Sequence, residues 1–133
     1  MTDYRILVVD DERLVLRSIE KTLLRAGFDV ETAADTSTAL EMFEEAREGG
    51  DPYDMAIVDL HMPNFKGEDD PNAGLDLLSS LVAEDEKLPV VVLTAFDDVT
   101  RTKEALRRGA RTYFVKGREA ELVNIVNGIA DSG

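Results

Sequence analysis

A run of four apolar residues, Met55–Val58, ends at Asp59, and Pro63 then stands where a central strand cannot continue. Because no polar residue interrupts the run, it predicts a strand that is buried on both faces. Such strands occur in parallel sheets covered by helices on both sides. Ligand sites in these sheets lie just beyond the carboxyl ends of the strands. Asp59 is therefore either a solvated turn residue or a carboxylate with a chemical role.

Segments typical of strands and helices alternate along the whole chain. The five strand segments are 4–9, 28–32, 55–59, 89–93 and 111–116. Each is followed by apolar residues at helical spacing, and glycine or proline punctuates the ends of most of these segments. This alternation predicts a doubly wound α/β fold, with a parallel five-stranded sheet and right-handed crossovers. We expect a single domain over residues 1–133.

The connection at residues 60–74 departs from this regular pattern. It shows no strong periodicity, although loops from strand to helix usually take roughly 2–6 residues. Pro63, Gly67, Pro71 and Gly74 punctuate it, and it carries the acidic run 68–70. We expect a long loop that is either an insertion with a binding or regulatory use or a tolerated surface excursion. Its acidic run could cover the site.

The formal net charge of −13 argues against strongly anionic binding partners that this chain would recognise by charge alone. A chain this acidic is not expected to bind nucleic acid or anionic lipid nonspecifically. No apolar run approaches the length of a membrane span, so membrane insertion is not expected. The absence of cysteine excludes disulfides and thiolate metal sites. Residues 1–3 lead directly into a strand segment and leave no room for a signal peptide, so we expect a cytoplasmic protein.

Positive charge is concentrated between Arg101 and Arg118. This segment holds seven cations and a single acid, Glu104, which gives it a net charge of +6 in an otherwise acidic chain. Either a solvated helix face or a docking surface for a partner would produce this pattern.

Polar residues follow four of the five predicted strands. They are Asp10 and Asp11 after the first, Asp59 after the third, Thr94 after the fourth and Lys116 after the fifth. Since carboxyl ends of parallel strands share one edge, we expect these side chains to meet. Carboxylates without cysteine or a neighbouring histidine favour a hard divalent ion such as Mg²⁺. A lysine and a threonine beside them can hold phosphoryl oxygens while one carboxylate attacks phosphorus.

Four segments in order resemble the receiver domain of two-component response regulators, from Tyr4 to about Ile129. They are Val8–Glu12, Val58–Pro63, Leu93–Ala95 and Gly109–Lys116. The resemblance implies a flavodoxin-like strand order of 2-1-3-4-5. It also implies a switch that changes its partner-binding face when phosphorylated. Such a protein is not an enzyme in the usual sense, because it catalyses only its own phosphoryl transfer and autodephosphorylation.

The resemblance implies a role for each residue at the strand ends. Asp59 corresponds to the phosphoacceptor and also to a ligand of Mg²⁺. Asp11 would bind the ion directly, Asp10 mainly through water, and His61 through its backbone carbonyl. The side chain of His61, the single histidine, is expected at the surface.

The remaining implied roles concern the phosphoryl group and the partners. Thr94 and Lys116 correspond to the residues that contact the phosphoryl group, and Tyr113 to an aromatic residue that changes rotamer as Thr94 moves inward. The donor would be a sensor histidine kinase, a phosphotransfer protein or a small phosphodonor. A downstream protein would bind the face made by the fourth helix, fifth strand and fifth helix, where the basic segment 101–118 lies.

Three features depart from the pattern of the family. Gly117 stands where a cis-proline usually follows the lysine, which would leave Lys116 less firmly placed. The connection after Pro63 is unusually long. His61 and Phe96 each lie two residues past a site residue, Asp59 and Thr94, at positions that in the family influence the rate of phosphoryl loss. The bulky Phe96 could shield an acyl phosphate from water.

These departures keep open a second interpretation, a receiver-like interaction module that no longer uses phosphorylation. A phosphatase with an aspartate nucleophile, similar to the haloacid dehalogenase family, would need Asp-x-Asp after the first strand. That position holds Asp10-Asp11-Glu12, and Asp59 lies on another strand, so this third interpretation is not favoured.

Overall fold

The computed structural model describes residues 4–63, 66, 68–70 and 72–132. The strands are β1 (Arg5–Val9), β2 (Asp29–Ala33), β3 (Met55–Asp59), β4 (Met62–Pro63), β5 (Asp69–Asp70), β6 (Val90–Thr94) and β7 (Thr112–Val115). The helices are α1 (Arg13–Arg25), α2 (Thr36–Glu48), α3 (Ala73–Glu84), α4 (Val99–Arg107) and α5 (Glu119–Ser132). None of these helices is both long and apolar enough to cross a membrane.

Five of the strands form one parallel sheet in the order β2-β1-β3-β6-β7. Since β6 and β7 are the fourth and fifth strands of this sheet, the predicted order 2-1-3-4-5 is confirmed. All five residues of β3 are buried, as the apolar run predicts. The strand lies at the centre of the sheet, where it pairs with β1 on one side and β6 on the other.

The sheet separates two hydrophobic cores, so the predicted α/β architecture with helices on both faces is confirmed. Alternate residues of β1 point to opposite faces, which places Leu7 in one core and Ile6 in the other. Helices α2, α3 and α4 contribute to the first core, where Phe43 is completely buried. Helices α1 and α5 cover the other face, with Ile19 and Leu122 buried against the sheet.

The connection at residues 60–74 contains more regular structure than the sequence predicts. Strands β4 and β5 form an antiparallel pair, with Met62 opposite Asp70. Met62 is 1% exposed and belongs to the core beneath α3, so it anchors the connection. Two-residue strands are too short to produce an alternating pattern, which explains why the sequence suggests only a loop. The expected punctuation at Gly67 and Pro71 lies outside the described residues.

Gly74, in the first turn of α3, lies against the backbone that follows β3. A Cβ atom at this position would stand 2.6 Å from the Cα of Leu60 and 2.8 Å from its carbonyl oxygen. Backbone atoms cannot move aside as the tip of a side chain can, so only glycine fits. This contact holds the start of α3 directly against the peptide that follows Asp59.

Candidate functional site at the carboxyl edge of the sheet

Two acidic residues lie side by side at the carboxyl edge of the sheet. β1 and β3 are paired with Val9 opposite Val58, so Asp10 and Asp59 each stand one residue further on, at neighbouring positions. The exposed fractions of these two acids are 0% and 1%. Burying two carboxylates together is unfavourable unless a positive charge joins them.

The pKa values of both carboxyl groups reflect this crowding. Burial, together with the charge of Asp59, raises the pKa of Asp10 to about 7, against a hydrogen bond from the backbone N–H of Glu12 and attraction to Lys116. Burial likewise raises the pKa of Asp59, although hydrogen bonds from Lys116 and from the N–H of His61 oppose the shift. Near neutral pH, the two groups therefore resist simultaneous ionisation.

The ammonium group of Lys116 lies between the acids. Its Nζ atom is 2.9 Å from Oδ2 of Asp59, 3.2 Å from Oδ2 of Asp10 and 2.7 Å from Oε1 of Glu12. Lys116 directly follows β7, and its backbone N–H donates to the carbonyl of Thr94 on β6 at 3.0 Å. Burial alone would lower the pKa of Lys116, but the hydrogen bonds to the carboxylates outweigh it and raise the pKa above its usual value.

Four carboxylates at this edge could hold a metal ion. Oxygen atoms of Asp10, Asp11, Glu12 and Asp59 lie within 4.8 Å of one another, the two middle residues being exposed. Oδ2 of Asp10 is buried and has no hydrogen-bond partner within the described part of the chain, since its 3.2 Å contact with Lys116 is an ion pair without hydrogen-bond alignment. An all-oxygen donor set with an available buried oxygen fits a hard dication such as Mg²⁺.

The plainer interpretation of Asp10 or Asp11 as a helix cap is wrong. The N-cap residue of α1 is Glu12, and it makes no side-chain capping hydrogen bond. Asp10 instead accepts the N–H of Glu12 through Oδ1 at 2.8 Å, a local turn that fixes the orientation of its carboxylate. Both oxygens of Asp10 therefore belong to the site, one in the turn and one facing Lys116.

His61 contributes to the site through its main chain. Its backbone N–H donates to Oδ1 of Asp59 at 3.1 Å, while Oδ2 of Asp59 faces Lys116. These two contacts fix the orientation of the Asp59 carboxylate. The His61 residue is exposed, in line with the surface position expected from the sequence. The proposed coordination of a metal through the His61 carbonyl stays a prediction.

Thr94 and Tyr113 lie on β6 and β7, the next two strands beyond β3 in the sheet. Thr94 ends β6 and is 3% exposed, one residue beyond Leu93, which pairs with Asp59. Tyr113, on β7, is 46% exposed. Both residues line a groove of about 400 Å³ between α4 and β7, together with the exposed side chains of Phe96 and Val99. Their roles as phosphoryl contact and switch stay predictions.

The basic segment 101–118 is less positive in the fold than its sequence suggests. Its ion pairs join Arg101 to Asp98, Arg107 to Glu104, Arg108 to Glu104 and Asp76, and Lys116 to Asp10, Glu12 and Asp59. Four of the seven cations therefore have acidic neighbours, several of them from outside the segment. Because nearby acids offset these positive charges, a partner protein would meet a weaker positive electrostatic field at this segment.

Two contacts at the site could not be read from the sequence. Glu12 belongs to the acidic run after β1, but only the structure shows that its carboxylate reaches Lys116. Nη1 of Arg101, in the first turn of α4, lies 3.5 Å from the carbonyl oxygen of Leu60, next to Asp59. The Arg101 contact depends on how α4 packs, and no spacing in the sequence indicates it.

Comparison with known proteins matches this chain to one protein family. A family model described as the response regulator receiver domain matches residues 6–127. The transcriptional regulatory protein PrrA of Mycobacterium tuberculosis is 36% identical over 116 residues, which cover 87% of this chain and 45% of that protein. The regulatory protein AtoC of Escherichia coli is 30% identical, over 92% of this chain and 24% of its own length. The chain thus spans less than half of these curated relatives.

Solved receiver domains share the fold. The response regulator receiver domain protein from Clostridium thermocellum has a TM-score of 0.81 and 27% identity, covering 96% of this chain and 94% of that one. A CheY-like receiver domain from Methanospirillum hungatei has a TM-score of 0.83 at 23% identity, covering 98% and 96%, a likeness of fold alone.

Proposed function

Because this chain belongs to the response regulator receiver domain family, we propose that it is a signalling switch controlled by phosphorylation of Asp59. Receiver domains are generally switches and not enzymes that act on other molecules. In this proposal, the only reactions that the chain catalyses are its own phosphoryl transfer and autodephosphorylation. A histidine kinase or a phosphotransfer protein supplies the phosphoryl group, as partners of response regulators do.

The contact that carries the proposal is the one between the ammonium group of Lys116 and the buried carboxylate of Asp59. The N–H of His61 holds Oδ1, so Oδ2 is presented to Lys116 at 2.9 Å. An oriented carboxylate beside a fixed cation is the arrangement that nucleophilic attack on phosphorus requires. An oxygen of Asp59 would form the new bond to phosphorus as the bond from phosphorus to the donor breaks.

Receiver domains bind Mg²⁺ at their acidic site, and the donor set here fits that ion. Asp10, Asp11 and Asp59 would hold it together with the carbonyl of His61. When bound, the ion supplies positive charge that offsets the carboxylates and the phosphoryl oxygens. Lys116, which directly follows β7, adds a second positive charge, and its ammonium group can move its hydrogen bond from Asp59 to a phosphoryl oxygen.

The groove between α4 and β7 is where we propose that phosphorylation is read out. Thr94 lines the groove and directly follows Leu93, which pairs with Asp59, so in this proposal its hydroxyl donates to a phosphoryl oxygen on Asp59. Tyr113, Phe96 and Val99 expose apolar surface along the same groove. Because four of the seven cations of segment 101–118 have acidic neighbours, we expect a downstream protein to recognise this apolar surface first and the charges second.

The proposal treats residues 1–133 as one receiver domain with an insertion at residues 60–74. Support comes from the family match over residues 6–127 and from the single five-stranded sheet. The insertion is anchored near its start by Met62 in the core, and near its end Oδ1 of Asp70 accepts the N–H of Asn72 at 2.9 Å in a local turn before α3.

The test is to expose the purified chain to acetyl phosphate and Mg²⁺ and to record its intact mass. We expect the mass of one phosphoryl group to be added to the wild type and to be absent from Asp59→Asn. Beryllofluoride with Mg²⁺ should shift NMR signals of Thr94 and Tyr113 in the wild type alone. No added mass and no shift would favour the interaction module that lacks phosphorylation. Release of phosphate from phosphomonoesters over many turnovers would contradict the proposal in favour of a phosphatase.

A further inference from the structure

Three carboxylates contact the ammonium group of Lys116, and they differ in what else they do. In the proposed function, Asp59 is engaged by the phosphoryl group and Asp10 by the metal ion. Glu12 has neither role, and its contact with Lys116 is the shortest of the three at 2.7 Å. Glu12 is therefore the one carboxylate among these three that can stay with Lys116 throughout the reaction.

The backbone of Lys116 is held by its hydrogen bond to Thr94, but the residue that follows gives the lysine side chain no packing support. The next residue, Gly117, has a φ of +98° and no neighbouring atom within 4 Å of where a Cβ would lie. Glycine has no side chain, so residue 117 offers no packing contact that would hold the lysine stem in place. The lysine side chain itself has four rotatable carbons, which makes an unrestrained ammonium group costly to position.

We propose that Glu12 is a positioning residue for phosphoryl transfer, holding the ammonium group of Lys116 beside Asp59 while Asp10 and Asp59 are otherwise engaged. This inference rests on the proposed function. The Glu12 side chain is 57% exposed, whereas that of Lys116 is 20% exposed, so Glu12 approaches from the solvent side. The acid and the lysine come from opposite ends of the chain, and their contact joins the β1–α1 turn to the end of β7.

A role as a metal ligand is the main competing explanation, because a Glu12 oxygen also lies in the group of four carboxylates. The structure favours the positioning role, since Oε1 of Glu12 already accepts a hydrogen bond from Lys116. The two roles predict different effects of substitution on lysine mobility and on metal affinity, so one set of variants separates them.

The experiment compares Glu12→Ala and Glu12→Gln with the wild type. Asp97→Asn is the matched control, because Asp97 is an exposed acid that follows β6 at the same edge of the sheet. The order parameter of the Lys116 side chain is measured by NMR on lysine-labelled protein without metal or phosphodonor. Mg²⁺ affinity and the rate of phosphorylation by acetyl phosphate are then measured on the same proteins.

We expect Glu12→Ala to lower the order parameter of Lys116 and to slow phosphorylation about two- to fivefold, as loss of a partly exposed ion pair would. Glu12→Gln should be intermediate, because its amide oxygen still accepts a hydrogen bond. Mg²⁺ affinity should change by less than about threefold, since the removed charge is solvated. Asp97→Asn should match the wild type in all three measurements.

Two results would overturn the inference. Unchanged lysine order and an unchanged phosphorylation rate in Glu12→Ala would show that Glu12 does not position Lys116. A drop in Mg²⁺ affinity of about tenfold or more, with unchanged lysine order, would make Glu12 a metal ligand instead. If the wild type itself accepts no phosphoryl group, the proposed function fails and this inference falls with it. If the wild type is phosphorylated and Glu12→Ala is phosphorylated at the same rate, this inference fails and the proposed function stands.

Discussion

The two ends of β1 gather charged side chains in opposite ways. Arg5 begins the strand at the amino edge of the sheet, and Asp10 follows it at the carboxyl edge. At the amino edge the guanidinium of Arg5 contacts three acids and stacks on an aromatic ring. These neighbours are Asp29, Glu31, Asp51 and Tyr53, whose ring centre is 4.6 Å from the guanidinium carbon.

The charges of the amino-edge cluster carry little desolvation cost, because its acids remain in contact with water. The side chains of Asp29, Glu31 and Asp51 are 44–80% exposed, and that of Arg5 is 16% exposed. The hydroxyl of Tyr53 donates to Oε1 of Glu31 at 2.7 Å, which completes the cluster. Burial and this hydrogen bond raise the pKa of Tyr53, so the phenol stays protonated as a donor.

At the carboxyl edge, two of the acids are buried and the cation reaches in from the side. Asp10 and Asp59 repel each other in a space closed to solvent, and Lys116 offsets only part of that repulsion. At each edge one cation forms ion pairs with three acids, so the number of ion pairs does not distinguish the two clusters. The two clusters differ in the burial of their acids, because desolvation penalises the charged form of each buried carboxyl group. We infer that the amino edge stabilises the fold, whereas the carboxyl edge lowers stability and gains a ligand site.

The largest expected effect is steric and belongs to the carboxyl edge. Gly74→Ala would force a Cβ atom into the backbone of Leu60, and we expect it to lower the free energy of unfolding by about 3 kcal/mol. Urea denaturation measures this loss. Gly128→Ala is the control, because no atom lies within 4 Å of a Cβ there and the change should be neutral or stabilising. Equal effects at the two glycines would contradict the close approach at Gly74.

Removing a buried charge should stabilise the carboxyl edge. The pKa of Asp10 is about 7 in the folded protein, whereas the ordinary value of this group is 3.8. At pH values between these two pKa values, the folded state therefore binds more protons than the unfolded state. Stability contributed by this group therefore falls as the pH rises from about 4 to 7. We expect Asp10→Asn to gain about 1–3 kcal/mol at pH 8 without metal, and to gain nothing at pH 4.

Urea denaturation at the two pH values measures the effect, and Asp97→Asn serves as the exposed control. A gain of equal size at pH 4 and pH 8 would show that the benefit of Asp10→Asn does not come from removing the charge.

Removing the cation of the amino edge should lower the stability of the fold, in contrast to removing the buried charge of Asp10. Arg5→Met removes the ion pairs and the stacking on Tyr53, and we expect a loss of about 1–2 kcal/mol that is similar at pH 6 and pH 8. Thermal or urea unfolding checks it, with Arg17→Met, an exposed arginine on α1, as the control. A stabilised Arg5→Met would contradict the contrast between the two edges.

The smallest expected effect concerns Phe96, which is 83% exposed in the groove near Thr94. If Phe96 shields the acyl phosphate, Phe96→Ala should speed loss of the phosphoryl group by less than tenfold, corresponding to under about 1.4 kcal/mol of barrier. The measurement is the decay of phosphorylated protein after the donor is removed. An unchanged or slower decay would remove Phe96 from the account.

Much of the carboxyl edge follows from simple rules applied to the sequence. The apolar run that ends at Asp59 predicts the central strand, and parallel strands bring their carboxyl ends to one edge. Asp10, Asp59 and Lys116 therefore meet although they lie far apart in the chain. The structure places them together as those rules require, while the chemical role of each residue stays a prediction.

Features that depend on side-chain packing could not be predicted in this way. Arg5 and Tyr53 lie on separate segments, and no periodicity indicates that they stack. The contact of Glu12 with Lys116 depends on two long side chains, and the role of Gly74 depends on how closely α3 approaches β3. The short strands β4 and β5 leave no alternating pattern to detect.

The central claim is that a dication relieves the crowding at the carboxyl edge. The most direct test is the free energy of unfolding at pH 8 as Mg²⁺ replaces Na⁺ at constant ionic strength. We expect Mg²⁺ at ten times its dissociation constant to stabilise the wild type by about 1.4 kcal/mol. Arg5→Met should keep this gain, and Asp59→Asn should lose most of it. No gain in the wild type, or an equal gain in Asp59→Asn, would contradict the account.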